Sequence, residues 1–528
     1  MGTLGRRSMA LLDECLGIDR RPRGHGHSGT AIRSIPGGHA RPAGYDPSPM
    51  GGTFGRAERR DGLITLALIL AVVSIYLVTS IFIGPIALLV VAGLVVAILV
   101  LQRPALALAL VMVPTVLIED SSEGGFLPGL AGFYDVHGIS PFEGLVALAV
   151  AATVLDVAHR GRLRLPDPLT VPLLLAGVAV IIGVAVGCIN GAGLKEALFA
   201  ARPFMPLILL PFVVVNVLRD RESIRRALIV AAGLAGAKAA LGLIAIVVGM
   251  GYEHLDDPAI TYLEPTINWL CIAAALVMVA RLLQRRTTPL WLLVIGLISI
   301  ASLVLSYRRS FWIAAVLGLL IVLLIALQRR RWLNLIPGCV VVACALWLSI
   351  GTGFIGEAHG PIAERAESLN PAKIESNEED RYRFAERRNV MAQLEGDPLT
   401  GLGFAVPWVA QYPLSVDREG SRMYVHFTAL SWWLKLGIIG LLSYLAIIGT
   451  SIWSAYRVWR EHADPWFQAV GLAMVGAFIG LALAETSASF PGITPRLTAV
   501  FAVATGLIVA MLSDARGRPS VIPSRTDY

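Results

Sequence analysis

Residues 428–452 read TALSWWLKLGIIGLLSYLAIIGTSI, a run whose single charge is Lys435. A predominantly apolar stretch of about 18 or more residues is long enough to cross bilayer hydrocarbon as a helix. Hydrocarbon offers the backbone no water, so such a run is a helix rather than an open strand. Comparable runs recur on both sides of it. The spans predicted lie near 63–82, 84–101, 104–118, 139–157, 169–190, 203–218, 227–250, 267–283, 289–306, 311–327, 334–351, 428–452, 466–485 and 495–512. The fold class is therefore all-α, a polytopic transmembrane helix bundle of about 14 spans. Composition agrees: 56% of the 528 residues are apolar and 15% charged. Soluble domains average roughly 45–50% and about 25%. A disordered chain, a fibrous protein and an ordinary soluble enzyme are excluded.

The net charge is +7, from 44 Lys+Arg against 37 Asp+Glu. The basic residues form short clusters between apolar runs, which is a topology signal and not a phosphate footprint; no nucleic-acid partner is expected. One set of links holds Arg59–Arg60, Arg103, His159–Arg164, Arg219–Arg226, Arg285–Arg286, Arg329–Arg331 and Arg457–Arg460. The alternate set holds Glu119–Glu123, Glu253–Glu264, the long loop and Glu485–Pro495. Basic links face the cytoplasm, so both termini are predicted cytoplasmic. The organisation expected is a disordered basic tail (1–62), spans 1–11 (63–351), a large exterior loop (352–427), spans 12–14 (428–512) and a second tail (513–528). The first tail has no signal-peptide pattern. Cys188, Cys271, Cys339 and Cys344 fall inside apolar runs without metal spacing, and read as small core hydrophobes.

The exterior loop far exceeds the usual connection length, which marks it as functional. Ser376 followed by Glu379 forms a capping box opening a helix over 377–394. Tyr382, Ala385 and Met391 are expected on one face, with Arg383, Arg387 and Arg388 on the other. DPLTGLGF follows at Asp397–Phe404, where glycine permits a tight turn or close backbone approach. No Walker A, HExxH or GxSxG sequence occurs, so neither an ATP engine nor a zinc-protease helix is indicated. Glu143, Lys238, Lys435 and Glu485 fall within or near spans. Lys238, nearest mid-membrane, reads either as a structural ion-pair member or as a coupling or substrate residue.

Arg202 and the pair Arg308–Arg309 stand at exterior span ends. They either snorkel to headgroup phosphates or form an anion site. Arg381, Arg383, Arg387 and Arg388 in the loop and His426 before the span at 428–452 complete an exterior set. Guanidinium forks suit diphosphate oxygens, and histidine suits proton acceptance at neutral pH. That combination fits a lipid-pyrophosphate donor whose leaving group is stabilised by arginine instead of metal.

Three stretches, Ser306–Ala314 (SYRRSFWIA), the arginine helix with DPLTGLGF, and His426 with Leu436–Leu441 (LGIIGL), together resemble the O-antigen ligase and O-antigen polymerase superfamily of bacterial polysaccharide assembly. Phe427, Lys435 and Ser310 depart from the family pattern, and two N-terminal spans exceed its usual twelve or so. The resemblance implies an inner-membrane glycosyltransferase with no metal and no cofactor. Its donor would be a glycan on an undecaprenyl-pyrophosphate-type lipid, and its acceptor a glycan, a lipid-core sugar or a protein. A chain-length regulator and a flippase are implied partners, and a polymerase is preferred over a ligase. Arg202 and Arg309 would hold the pyrophosphate, Arg308 and Arg383 would support them, and His426 would activate or position the acceptor hydroxyl. The alternative is a transporter or flippase of lipid-linked glycans, which Lys238 and the many spans suit, although no internal repeat is visible. A purely structural membrane partner is a third reading.

Overall fold

The structure, a computed structural model, describes residues 96–118, 133–134, 140–248, 265–284, 287–306, 308–328, 378–414, 422–486, 492 and 494–516. Among these, every regular element is a helix. In chain order they are α1 (Pro104–Leu117), α2 (Pro141–Arg160), α3 (Thr170–Ile189), α4 (Leu194–Ala201) and α5 (Phe204–Val217). Next come α6 (Arg221–Val248), α7 (Pro265–Leu283), α8 (Leu290–Val304), α9 (Arg309–Gln328) and α10 (Glu378–Gly396). The last three are α11 (Thr428–Glu461), α12 (Pro465–Ala484) and α13 (Pro495–Arg516). Eight helices are long and apolar enough to cross a membrane, or nine if α4 and α5 form one bent span; α1 and α8 are shorter apolar helices. The chain is a polytopic helical membrane protein. The predicted spans at 63–82 and 334–351, most of 84–101, the tail 1–62, residues 352–377 with Ser376, and most of the C-terminal tail lie outside the described residues.

α7, α12 and α13 are apolar all round and mostly buried, whereas α2, α6 and α9 keep much of their surface outside. Leu155, Val230, Val316 and Leu324 make up part of that outer apolar surface. Small residues let the helices close on one another. A Cβ added at Gly318 would come within 2.9 Å of the Gly476 carbonyl, so α9 and α12 touch through glycine. Buried Trp269 donates its indole N–H to the Ala477 carbonyl at 3.0 Å, joining α7 to α12.

The sixth span was expected near 203–218 with Arg202 at its start, and α5 begins at Phe204. α4 and α5 meet at 46°, and Arg202 and Pro203 form the elbow before α5. Proline supplies no N–H and clashes with a preceding helical turn, so the helix changes direction there. Lys238, read as nearest mid-membrane with its partner left open, reaches the C-terminal end of α1, donating to the Leu117 carbonyl at 3.4 Å. Arg496, in the first turn of α13, reaches the same end, at 3.0 Å from the Thr115 carbonyl and 3.3 Å from that of Val116. The last carbonyls of a helix lack helical partners and carry partial negative charge, so two cations seal this terminus.

The opposite end of the bundle carries its own polar clasp. Arg221 pairs with Asp464, whose backbone N–H donates to His462 Nδ1 at 2.9 Å. His462 Nε2 lies 3.4 Å from Asp514 Oδ2. Because Nδ1 accepts a hydrogen bond, the ring proton sits on Nε2, facing Asp514.

Candidate active site

α10 exists because a polar sequence still carries one apolar stripe. Glu386, Asn389, Val390 and Leu394 are buried, at helical spacings of three and four. Val390 and Leu394 pack on Leu402, Trp408, Val425, Leu430 and Leu434 in a second, smaller core. The face expected from Tyr382, Ala385 and Met391 is therefore displaced, and Met391 is exposed. The polar residues of the stripe are satisfied by hydrogen bonds. Asn389 donates to the Tyr412 carbonyl at 3.1 Å and accepts from the Tyr412 N–H at 2.6 Å, clasping the following loop to the helix. Arg387 donates to the Thr486 carbonyl at 3.0 Å and stacks over Phe427. α10 is thus tied to the end of α12 and the start of α11.

DPLTGLGF does more than turn. α11 is interrupted at Gly437, with φ 66° and ψ −166°, a region open essentially to glycine alone. The break separates the Leu434 carbonyl from the Ile438 N–H, which would otherwise bond to each other. The loop takes both: Leu402 N–H donates to the Leu434 carbonyl at 2.6 Å, and Ile438 N–H donates to the Leu399 carbonyl at 3.1 Å. On its other side, Phe404 N–H reaches the Gly183 carbonyl of α3 at 3.0 Å, and Asn190 donates to the Leu402 carbonyl at 3.0 Å. Non-helical backbone survives at such a place only because the protein satisfies its polar groups. The approach needs glycine on both partners, since a Cβ at Gly403 would meet the Gly187 nitrogen at 2.1 Å.

This frame holds the predicted residues in two groups. In the first, His426 stands directly before α11, with its side chain 40% exposed, against Glu386, 2% exposed. His426 Nδ1 is 3.1 Å from both Glu386 oxygens, and the His426 backbone N–H donates to Oε2 at 2.8 Å. A carboxylate only accepts, so Nδ1 carries the proton and Nε2 presents its lone pair outward. The Tyr382 ring stands edge-on to the imidazole at 5.9 Å. On the same helix, Asp380 lies 3.1 Å from Arg309 and 3.5 Å from Arg383. Arg309 opens α9, and Arg308 precedes it, its carbonyl accepting from the Phe311 and Trp312 N–H groups.

Arg202 belongs to the second group. Its guanidinium is 3.2 Å from Glu143 and 4.0 Å from the Phe199 ring centroid. Glu143 also closes the capping box of α2, accepting from the Ser140 N–H at 2.8 Å, so the carboxylate is held in place. Both side chains line a cleft of about 400 Å³, together with Lys435, Met423 and Tyr424. Glu485, the remaining ionisable residue near a span end, is buried and accepts from the Tyr444 hydroxyl.

Glu386, Asp380 and Tyr382 were missed from sequence. Their spacing on α10 was visible, but a carboxylate on a charged helix looks like solvated surface until the helix docks. Glu143 and Lys435 were noted as span-end charges and not joined to Arg202.

Fold and site define a polytopic helical membrane protein with an arginine–histidine–carboxylate site at one end of its bundle. Residues 294–445 match the O-antigen ligase family, and the chain carries an O-antigen ligase family domain of the ligase and polymerase superfamily. The matched stretch begins in α8 and ends in α11, and contains Arg308, Arg309, Arg383, Glu386, His426 and Gly437. Arg202 lies outside it. No curated protein is similar enough to match the chain. The family supports a membrane glycan-handling activity of the O-antigen ligase or polymerase type.

Proposed function

We propose that the chain is a metal-independent, inverting glycosyltransferase that takes its glycan from an undecaprenyl-pyrophosphate-type lipid at the exterior face of the bacterial inner membrane. The observation that carries the reading is His426 held by buried Glu386 of the loop helix, with Arg383 on that helix and Arg309, at the start of α9, paired to its Asp380. His426 Nε2 accepts the proton of an acceptor hydroxyl. The hydroxyl oxygen attacks the anomeric carbon, the bond from that carbon to the diphosphate oxygen breaks, and the lipid pyrophosphate leaves with the electron pair. Arg309, supported by Arg308 and Arg383, stabilises the leaving charge. Arg202 reaches the substrate from the neighbouring cleft. α10 and its loop cover the reacting atoms and limit hydrolysis. Both termini are cytoplasmic in this arrangement, and a chain-length regulator and a flippase act beside the enzyme. A polymerase of exported polysaccharide is preferred over a ligase. The alternative reading is a transporter or flippase of lipid-linked glycans.

The test is reconstitution with a lipid-pyrophosphate-linked oligosaccharide, without ATP or nucleotide sugar. Release of lipid pyrophosphate coupled to a longer or relocated glycan is expected, and product mass separates polymerase from ligase. Intact donor changing leaflet without release sinks the enzyme reading.

A further inference from the structure

The cleft beside Arg202 has a charge balance of its own. Arg202, Glu143 and Lys435 are its charged lining residues. Arg202 shares its charge with Glu143. Lys435, half-buried two residues before the Gly437 break, has no ion pair or hydrogen bond among the described residues. Its Nζ lies 5.8 Å from the centroid of the Tyr424 ring. Counted over the described residues, the lining leaves one net positive charge. A diphosphate carries more negative charge than this; a single carboxylate matches it.

The rest of the wall suits a sugar. Phe199, Phe142, Tyr134 and Tyr424 supply aromatic surface, on which the C–H face of a pyranose packs while its hydroxyls remain wet. A volume of about 400 Å³ lies within the range of roughly 300–1,000 Å³ for small-ligand pockets. The remaining wall is built from elements that also build the first group. Ala405, held at φ 59°, and Val406 continue directly from the segment docked in the α11 break. Tyr424 is two residues from His426. Tyr424 is 52% exposed, Val425 is buried, and the His426 side chain is 40% exposed. The cleft and the histidine therefore share one stretch of chain.

We infer that the Arg202–Lys435 cleft is a glycan subsite selective for a sugar bearing one carboxylate, of the hexuronic acid class, with Lys435 as the residue that determines this selectivity. The inference rests on the glycosyltransferase reading for its substrate class and adds the charge of the sugar. Neutral sugars leave the Lys435 ammonium without a counterion; a carboxylate restores one.

Binding and turnover separate the two. The full chain in nanodiscs is titrated with a soluble oligosaccharide ending in glucuronic acid, with the same oligosaccharide carboxyl-reduced, and with a neutral oligosaccharide ending in a sugar phosphate. The acidic form is expected to bind at least about tenfold tighter than the reduced form. Lys435→Met abolishes the difference and Lys435→Arg retains it. Met423 lines the same cleft and is 40% exposed, so Met423→Glu adds a repelling carboxylate at little folding cost and is expected to weaken the acidic ligand alone. Equal binding of acidic and reduced forms overturns the inference, as does a preference that survives Lys435→Met. Tighter binding of the sugar phosphate than of the acid also overturns it, assigning the cleft to phosphate. Failure of lipid-pyrophosphate release with the acid preference intact overturns the transferase reading and leaves the cleft's selectivity standing.

Discussion

Glu386 acts on His426 from inside the protein. Its carboxylate accepts both the His426 backbone N–H and Nδ1–H, which fixes ring orientation and tautomer and, in the proposed reaction, would stabilise the imidazolium formed when Nε2 takes a proton. Glu386→Gln keeps the shape but removes the charge, and its amide N–H₂ competes to donate to Nδ1, driving the ring to the wrong tautomer. The expected result is a fall in kcat of about tenfold or more with little change in donor KM, read from initial rates of lipid-pyrophosphate release. His426→Ala removes the proton acceptor itself and is expected to cost roughly 10²-fold or more. Arg309→Ala is expected to abolish transfer with membrane insertion unchanged; Arg309→Lys, which keeps charge but loses the planar fork, retains only a small part of the activity. Unchanged product in both His426→Ala and Arg309→Ala rejects the site.

At the scale of elements, the docking of DPLTGLGF into the α11 break depends on backbone approach. Gly403→Ala brings a Cβ to 2.1 Å from the Gly187 nitrogen and 2.7 Å from the Gly183 carbonyl. Backbone atoms on both sides cannot rotate away. The substitution is expected to destabilise the protein by roughly 2–4 kcal/mol, seen as a lowered melting temperature and new proteolysis near 397–414. Gly449, also in α11, has nothing within 4 Å of an added Cβ. Gly449→Ala is expected to leave activity intact and raise stability by about 0.5–1 kcal/mol, since alanine is the better helix former. Equal effects of the two alanines on melting would show that the break is not a tight joint.

For the whole molecule, the polar clasp opposite the active site predicts a pH dependence. Burial holds the His462 imidazole below its usual range, against the pull of Asp514 and Asp464. Burial pushes the Asp464 carboxyl upward, but the Arg221 hydrogen bond, the Trp466 N–H and the Arg221 charge outweigh it and hold the group below its usual range. A histidine with a depressed folded value contributes stability that is fully present above the unfolded value, about 6.5, and is lost as pH falls through the folded value. Asp464 behaves with the same sign at lower pH, below the ordinary carboxylate range. The melting temperature of the purified protein is expected to fall by a few degrees, about 2–4 °C, between pH 7.5 and 5.5. His462→Gln is expected to flatten that slope. An identical slope in the variant removes His462 from the explanation.

Sequence by itself determined the helical membrane class and the spans that can be compared with α1–α3, α5–α9 and α11–α13. Each span is a local property: an apolar run of sufficient length must be a helix in hydrocarbon whatever its neighbours are. Arg309 and His426 were legible as well, because charge at an exterior span end is costly enough to stand out. Only the tertiary structure decided how charges are shared. His426 meets Glu386 across 40 residues and Arg309 meets Asp380 across 71, separations over which sequence pattern carries no distance. It also turned the chain at Arg202–Pro203 and moved that arginine into a cleft with Lys435. The break at Gly437 was equally hidden, because a glycine in an apolar run reads as helix packing until another segment arrives to take the hydrogen bonds it releases.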